Sequence, residues 1–206
     1  FPGGAVDISC GSATQFAITD GNGIIRRYNF GTNTYQALSG SGFSNVSICA
    51  DGTLFGRSTL NLSATSNIIK FNNVPPVLNG YTQMNEILNN NICALSNNYV
   101  VGSWGSALNN IDQWDGSAWS NLPGSTSVSV SKVIVGGTSS NIYARTWAAS
   151  GNNVIVYNAG TWSAISNSTL NVADISVGDA TKIFAIAGGM LYYRSGGAWV
   201  LDATAP

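Results

Sequence analysis

The chain has 206 residues, of which 8% are charged, and a formal net charge of −1. An average soluble protein has about 25% charged residues, so polarity here comes mainly from Asn, Ser, Thr and Gly. The lack of a basic stripe argues against nucleic-acid partners. No apolar run reaches the ~18 residues of a membrane-spanning helix. Short apolar runs between Gly, Asn and Ser clusters indicate an all-β fold in a chain long enough for one domain.

An aromatic strand motif recurs along the chain. Tyr28, Phe71, Trp114 and Tyr157 follow one another at steps of 43 residues. The stretches that carry them are IIRRYN (24–29), IIKFNN (68–73), NIDQWDG (110–116) and VIVYNAG (154–160), and LYYRSGG (191–197) is a fifth copy after a shorter interval. Recurrence at this period is typical of a repeat architecture.

A second strand follows each aromatic strand. It reads TYQAL (34–38), VPPVL (74–78), AWSNL (118–122), TWSAI (161–165) and AWVLD (198–202). Pro76 falls where the later copies have Trp. Since proline cannot donate to a sheet ladder, this strand is predicted to be an edge strand.

Two more strands precede the aromatic strand in each repeat. The first reads VDISC (6–10), NVSIC (45–49), NNIC (90–93), KVIVG (132–136) and DISVG (174–178). The second reads QFAIT (15–19), LFGRS (54–58), YVVGSW (99–104), IYARTW (142–147) and IFAIA (183–187). Four strands repeated five times, about every 41 residues, predict one five-bladed β-propeller with four antiparallel strands per blade. The expected blades of this single domain, 1–206, are 5–43, 44–84, 85–127, 128–170 and 171–206. A solenoid is less favoured because neither end repeat looks like a polar cap.

The last repeat, ADISVGDATKIFAIAGGMLYYRSGGAW (173–199), resembles the tectonin repeat, and VDISCGSATQFAITDGNGIIRRYN (6–29) is also similar to it. Tectonins and the related tachylectin-2 type are lectin-like propellers. The resemblance extends over the chain as a repeat pattern, with repeat two departing most at Pro76 and at an insert near 59–67. It implies sugar binding at repeated pockets between or on the blades.

Composition restricts the chemistry. The chain has no histidine, which excludes Ser-His-Asp and Cys-His catalysis and the commonest zinc ligand. No phosphate-binding or dinucleotide-binding glycine motif is present, so we expect no cofactor. Asp7 and Asp174 hold equivalent places in the first and last repeats. They could form the carboxylate pair of a glycosidase, but we favour hydrogen bonds to nearby backbone.

Three cysteines also follow the repeat. Cys10, Cys49 and Cys93 each stand six residues before an aromatic residue, namely Phe16, Phe55 and Tyr99. A ring of thiols could hold a soft metal, but we favour small buried side chains at a crowded position. Three free, buried thiols and no metal site are therefore expected.

Tryptophan and asparagine point to neutral sugars, since rings stack on aromatic planes and amides bond hydroxyls. Trp104 and Trp147 end the second strand, just before loops that carry Asn109-Asn110 and Asn152-Asn153. Asp115 and Asn158 could add acceptors. Trp119, Trp162 and Trp199 are further candidates, although their regular spacing favours packing between blades.

The function expected from these residues is a multivalent lectin without catalysis. Its partners would be neutral glycans, and several weak sites would act together through avidity. A protein-interaction platform is the alternative, and a glycan-cleaving enzyme is less favoured. The chain begins at Phe1 rather than Met, so we expect a removed segment and favour a secreted or cell-surface protein over a cytosolic one. Sequons at Asn45, Asn61 and Asn167 agree with secretion but arise easily by chance in an Asn-rich chain.

Overall fold

The computed structural model describes residues 4–38, 41–60, 66–71, 81–86, 90–148, 151–165 and 169–203. These residues form five four-stranded antiparallel sheets, so the protein is an all-β, five-bladed propeller, as the repeat predicts. Within the described ranges the only helix is a single 3₁₀ turn, Ser125–Ser127. No helix in this part of the chain is long and apolar enough to cross a membrane.

Strands follow chain order within every sheet. Sheet one contains β1 (Ala5–Ser12), β2 (Gln15–Asp20), β3 (Ile25–Asn29) and β4 (Thr34–Ala37). Sheet two contains β5 (Phe43–Ile48), β6 (Leu54–Ser58), β7 (Ile68–Phe71) and β8 (Tyr81–Met84). Sheet three contains β9 (Asn91–Ser96), β10 (Tyr99–Ser103), β11 (Ile111–Trp114) and β12 (Trp119–Asn121). Sheet four contains β13 (Val130–Val135), β14 (Ile142–Thr146), β15 (Val154–Asn158) and β16 (Thr161–Ala164). Sheet five contains β17 (Asp174–Asp179), β18 (Lys182–Ala187), β19 (Met190–Ser195) and β20 (Ala198–Leu201).

The chain divides into two compact units. The first comprises Phe1–Val100 with Trp114–Trp119, and the second comprises Val101–Gln113 with Ser120–Pro206. Sheets one and two lie in the first unit, sheets four and five lie in the second, and sheet three contributes residues to both.

One predicted strand is misplaced. The outer strand of sheet two is β8, in which Tyr81 pairs with Phe71, and not the run 74–78. The 43-residue spacing placed it too early, because the connection after β7 is longer than in the other sheets. Residues 72–80, including Pro76, lie outside the described part of the chain, as do the sequon residues Asn61 and Asn167.

Apolar residues from adjacent sheets form the core of each unit. In the first unit, sheets one and two bury a cluster of large and small side chains: Ala17, Ile25, Leu38, Phe43, Val46, Ile48, Leu54, Ile69 and Phe71. In the second unit the buried side chains include Leu122, Val133, Ile142 and Ile175. Burial of such side chains stabilises the fold by about 1.5–3 kcal/mol each.

Polar side chains of a first strand also bond the first strand of the next sheet. The Asp7 carboxylate accepts hydrogen bonds from the Asn45 amide at 2.6 Å and from the Val46 backbone N–H at 2.7 Å. The Ser9 hydroxyl accepts from the Ile48 N–H at 3.0 Å. These bonds tie β1 to β5 without forming a continuous sheet.

The same arrangement recurs between other sheets. The Asn45 side-chain oxygen accepts from the Ile92 N–H at 2.8 Å. Asp174 of β17 accepts from the Lys132 ammonium of β13 at 2.6 Å and from the Ile175 N–H at 2.9 Å. Asp7 and Asp174 are thus both engaged in hydrogen bonds within their own units.

A buried asparagine precedes the third strand of sheets two, three and four. Asn67, Asn110 and Asn153 are almost fully buried. The Asn110 amide donates to the Val130 carbonyl at 2.8 Å and accepts from the Val130 N–H at 3.0 Å. Asn153 makes the same pair of bonds to Val172, at 2.8 Å and 2.9 Å. The side chain acts as an extra peptide group that holds the start of the next repeat.

The cysteines do not share one environment. None of the three forms a disulfide, but Cys10 is exposed, Cys93 is half-buried and only Cys49 is buried. The expectation of three buried thiols is therefore wrong. In the sheet register Cys10 pairs with Phe16 whereas Phe55 pairs with Ser47, so equal spacing to an aromatic does not give equal positions. Burial raises the pKa of the Cys49 thiol to about 12.

We expect Asn110→Ala to lower the free energy of unfolding by about 1–3 kcal/mol, because it removes the two buried hydrogen bonds that the Asn110 amide makes with the Val130 backbone. Urea denaturation at neutral pH measures the change. The exposed Asn158→Ala is the matched control and should differ from the wild type by about 0.5 kcal/mol or less. Equal stabilities of the two variants would contradict a structural role for Asn110.

Thiol labelling of the dilute native protein should modify Cys10 rapidly. Cys49 should react only after unfolding, since its thiol is buried and its raised pKa suppresses the reactive thiolate. A chromogenic disulfide reagent, with Cys10→Ser as control, measures both phases. Loss of the fast phase in Cys10→Ser is expected, and its persistence would place the exposed thiol elsewhere.

Candidate functional site

An open groove lies within the first unit, between the outer strand of sheet two and the β11–β12 hairpin. Its volume is about 450 Å³, within the range of known ligand sites. One wall comes from β7, β8 and the two residues that follow β8, and the other from the hairpin. The lining residues are Lys70, Thr82, Gln83, Met84, Asn85, Glu86, Trp114, Ser117, Ala118 and Trp119.

The β7–β8 wall has an apolar base and polar edges. Met84 is buried and pairs with Ile68, while Lys70 pairs with Thr82 on the same face of the sheet. Glu86 follows β8, and its backbone carbonyl accepts from the Asn67 N–H at 3.1 Å, which fixes the end of this wall. The wall thus offers thioether and alkyl surface flanked by an ammonium group, a carboxylate and neutral hydrogen-bonding groups.

The hairpin wall is aromatic. The rings of Trp114 and Trp119 lie 5.8 Å apart at 51°, and both side chains are half-buried. The turn between them is held by Asp115, whose carboxylate accepts from the Ser117 N–H and hydroxyl at 2.8 Å and from the Ala118 N–H at 2.9 Å. These bonds lower the pKa of Asp115 to about 2. The turn therefore presents the two indoles on a preorganised support.

Similar side-chain pairs occupy the outer hairpins of other sheets. Tyr28 and Tyr35 pair across sheet one with ring centroids 5.0 Å apart, and Tyr157 and Trp162 pair across sheet four at 5.2 Å. In sheet five the partner of Trp199 is a cation, because the Arg194 guanidinium lies 5.7 Å from the indole centroid.

The indole nitrogens of Trp119, Trp162 and Trp199 are all buried without an acceptor. A buried indole N–H without an acceptor therefore recurs at equivalent positions of sheets three, four and five. A sugar-binding or packing role for these three residues stays a prediction.

Trp104 and Trp147 hold equivalent positions in repeats three and four, but their environments differ. Trp104 is half-buried, and its indole N–H donates to the Asp112 carboxylate. Burial raises the pKa of Asp112, and hydrogen bonds from Asn121 and Trp104 oppose that effect. Trp147 is 51% exposed, and the residue aligned with Asp112 in sheet four is Ile155, which offers no acceptor.

The predicted asparagines hold turns or sheet contacts. Asn109 and Asn152 both have φ of 65°, a left-handed conformation that asparagine tolerates. The Asn109 side chain accepts from the Ser125 hydroxyl at 2.6 Å, and Asn110 and Asn153 make the backbone contacts described above. Asn158 is exposed and pairs with Thr161 across the β15–β16 turn.

The groove thus brings together few of the predicted residues. Trp119 lines it and Asp115 supports its turn, whereas sequence reasoning missed Lys70, Gln83, Met84 and Glu86. Three of these four lie in or after β8, which the repeat spacing had placed at 74–78. The signal that could have found them is the pair Tyr81 and Thr82, an aromatic and a β-branched residue of the kinds enriched in strands. Among the residues that the structure describes, no three His, Cys, Asp or Glu side chains are grouped as a metal site requires.

Solved structures similar to this chain include two of YCF48 and one β-propeller domain. YCF48 bound to D1 peptide superimposes with a TM-score of 0.61 at 13% identity, covering 97% of this chain and 69% of that one. YCF48 from Cyanidioschyzon merolae gives 0.58 at 17% identity, with 98% and 72% covered. The Cps50 (Swd1) β-propeller domain of Myceliophteria thermophila gives 0.63 at 9%, with 100% and 69% covered. No protein-family model and no curated protein matches the chain.

The expectation of glycan partners is contradicted by these comparisons. The similar structure whose ligand is named holds a peptide, and none of the three is described as a lectin. The physical basis of the error lies in the amides: Asn110 and Asn153 were assigned to sugar hydroxyls but bond backbone groups. The resemblance to tectonin repeats stays a prediction, as does the cellular location.

The Asp115 turn should contribute stability that depends on pH. Because its pKa is about 2 in the folded protein and about 3.9 in an unfolded chain, its contribution is present above about pH 4 and is lost as the pH falls through about 2. Asp115→Asn should therefore be less stable than the wild type at about pH 6. The difference, measured by urea denaturation, should vanish near pH 2. A difference that is unchanged over this range would show that the carboxylate charge is not involved.

Proposed function

We propose that this protein is a protein-interaction propeller and that the groove beside β8 binds a short peptide segment of its partner. The observation that carries the proposal is the pairing of two half-exposed indoles, Trp114 and Trp119, with a mixed polar wall across a cavity of about 450 Å³. Tryptophan is enriched among the residues that dominate protein–protein binding energy.

The composition of the groove suits a peptide. The indoles and the Met84 base offer stacking and apolar surface to side chains. Lys70 and Glu86 carry opposite charges, so the groove does not select strongly by net charge. The surrounding neutral amides and hydroxyls suit the alternating donors and acceptors of a peptide backbone.

The fold agrees with this function without establishing it. Propellers hold loops and outer strands on a rigid frame that many binding functions share. YCF48, which has a similar fold, is bound to a D1 peptide, and this supports a peptide as the class of ligand here.

We further propose that the groove is not catalytic. Glu86 is the one carboxylate in its described lining, whereas a glycosidase of the usual kind needs two carboxylates about 5–10 Å apart. The proposed site binds through complementarity and does not supply an acid–base pair.

The test uses a displayed library of random 12-residue peptides, selected on the intact protein and then measured singly by calorimetry. Trp119→Ala should weaken the binding of selected peptides about 10- to 100-fold, because truncating a central aromatic anchor costs about 1.4–3 kcal/mol. Trp162→Ala, at the equivalent position of sheet four, is the matched control and should leave the affinity unchanged.

Two outcomes would contradict the proposal. Equal binding to the wild type and to Trp119→Ala would place the peptide site elsewhere, and failure to select any peptide would remove the support for a peptide groove. Competition by simple monosaccharides at about 10 mM, a concentration at which weak sites fill, would favour the sugar site expected from the sequence.

A further inference from the structure

The groove beside β8 includes the outer edge of that strand and not only one face of sheet two. Four consecutive residues, 82–85, line it. Side chains alternate between the two faces of a strand, so Thr82 and Met84 share one face and Gln83 lies on the other. Residues of both faces can line one groove only where the groove extends around the edge of the strand. The main chain of β8 is therefore part of the lining.

This edge has no partner strand. β8 is the last strand of sheet two, and no strand of the described residues pairs with its outer side. Thr82 and Gln83 are both exposed, although they lie on opposite faces. An edge strand presents N–H and C=O groups without ladder partners. Extended peptides bind to such edges by strand addition, in which main-chain hydrogen bonds supply affinity.

The size of the groove suits an extended segment. The four residues of β8 extend over about 13 Å. A volume of about 450 Å³ over this length corresponds to a mean cross-section of about 35 Å², and one strand in a sheet is about 4.8 Å wide. An α-helix, which is 10–12 Å across, would need about 1,000 Å³ over the same length. The groove therefore holds about four extended residues and not a helix.

We propose that the peptide binds as a fifth strand on the outer edge of β8, with one row of its side chains facing the indoles of Trp114 and Trp119. The inference rests on the proposed peptide-binding function of the groove, and it adds the conformation and the sequence class of the ligand. Main-chain hydrogen bonds hold the peptide, and the side chains on the groove face select its sequence.

Lys70 determines the charge of one peptide position. It lies on the groove face of β7 and pairs with Thr82, and it forms no ion pair with a carboxylate of the described residues. A peptide residue beside Thr82 lies two strand spacings from Lys70, about 10 Å between Cα atoms. Because Thr82 is small, a glutamate side chain at this position can meet the lysine across it. We therefore expect an acidic residue there.

The peptide position beside Met84 is apolar. Met84 is buried, and it lines the groove together with the two indoles. Glu86 lies beyond Met84 in the lining and disfavours an acidic residue at that end. The ligand is thus an extended segment with an acidic and an apolar residue separated by one, in an order set by the direction of the peptide. The groove selects the position of the charge and not the net charge.

The main-chain bonds can be tested on the peptide itself. A selected peptide whose binding depends on Trp119 is prepared as a series of variants with one N-methylated residue each, and calorimetry on the intact protein measures each affinity. A strand directs alternate N–H groups to the same neighbour. Methylation should therefore weaken binding at least about 10-fold at every second residue of the bound stretch and less than about 3-fold at the residues between.

The charge of the ligand is tested by reversal. Lys70→Glu should weaken peptides that carry the acidic residue about 5- to 10-fold, and replacing that residue by lysine should restore binding to this variant. Lys182→Glu, at an exposed lysine of sheet five, is the matched control and should bind like the wild type. Circular dichroism and thermal unfolding establish that both variants are folded.

The outcomes separate this inference from the function on which it rests. Binding that depends on Trp119 but shows no two-residue period on N-methylation overturns the fifth strand and leaves the peptide groove in place. Sensitivity at every third or fourth residue also overturns it, because that period indicates a helical ligand. Selected peptides that are unaffected by Lys70→Glu overturn the sequence class. Failure to select any peptide, or equal binding to Trp119→Ala and to the wild type, removes the peptide groove and this inference with it.

Discussion

Hydrogen bonds from short polar side chains to the backbone of the next sheet are the interaction on which this propeller depends. A four-stranded sheet ends in an inner strand whose outer N–H and C=O groups have no ladder partner, and Asp7, Ser9 and Asn45 supply partners across the gap between sheets. Asn110 and Asn153 do the same at the start of the third strand. The abundance of Asn and Ser thus has a structural cause, because a buried polar group must be paired to be tolerated.

Asparagine amides that bond the backbone, as those of Asn110 and Asn153 do, explain why the fold could be predicted from the sequence while much of the site could not. The regular spacing of four aromatic residues is enough to locate the third strand of the first four sheets: Tyr28, Phe71, Trp114 and Tyr157. This works because the residues recur once per sheet, at a constant interval that can be counted in the sequence. Asn110 looks the same in sequence whether its amide faces a ligand or the backbone of Val130. Only the three-dimensional partner distinguishes the two, so a residue type suited to sugars did not predict a sugar site.

The groove illustrates a different limit. Its aromatic wall follows the repeat, and Trp119 was among the predicted site residues. Its other wall depends on β8, whose position was hidden by the longer connection after Phe71 and is set by the Phe71–Tyr81 pairing. To predict a site formed by two repeats, the strand positions of both repeats must be known. When one strand is misplaced, as β8 was, the residues that it contributes to the site are missed. Trp104 and Trp147 show the same dependence on neighbours, because Asp112 engages one indole and Ile155 offers the other no acceptor.

Repetition also separates what the local sequence determines from what packing determines. The tripeptide Asp-Ile-Ser occurs in the first strands of sheets one and five, at 7–9 and 174–176. The period of two along a strand gives it the same alternation of side chains in both places. Its hydrogen-bond partners nevertheless differ: Asp7 and Ser9 accept from N–H groups of β5, whereas Asp174 accepts from the Lys132 ammonium of β13. The local sequence thus determines the alternation of side chains along the strand, and the neighbouring sheet determines which group each side chain bonds.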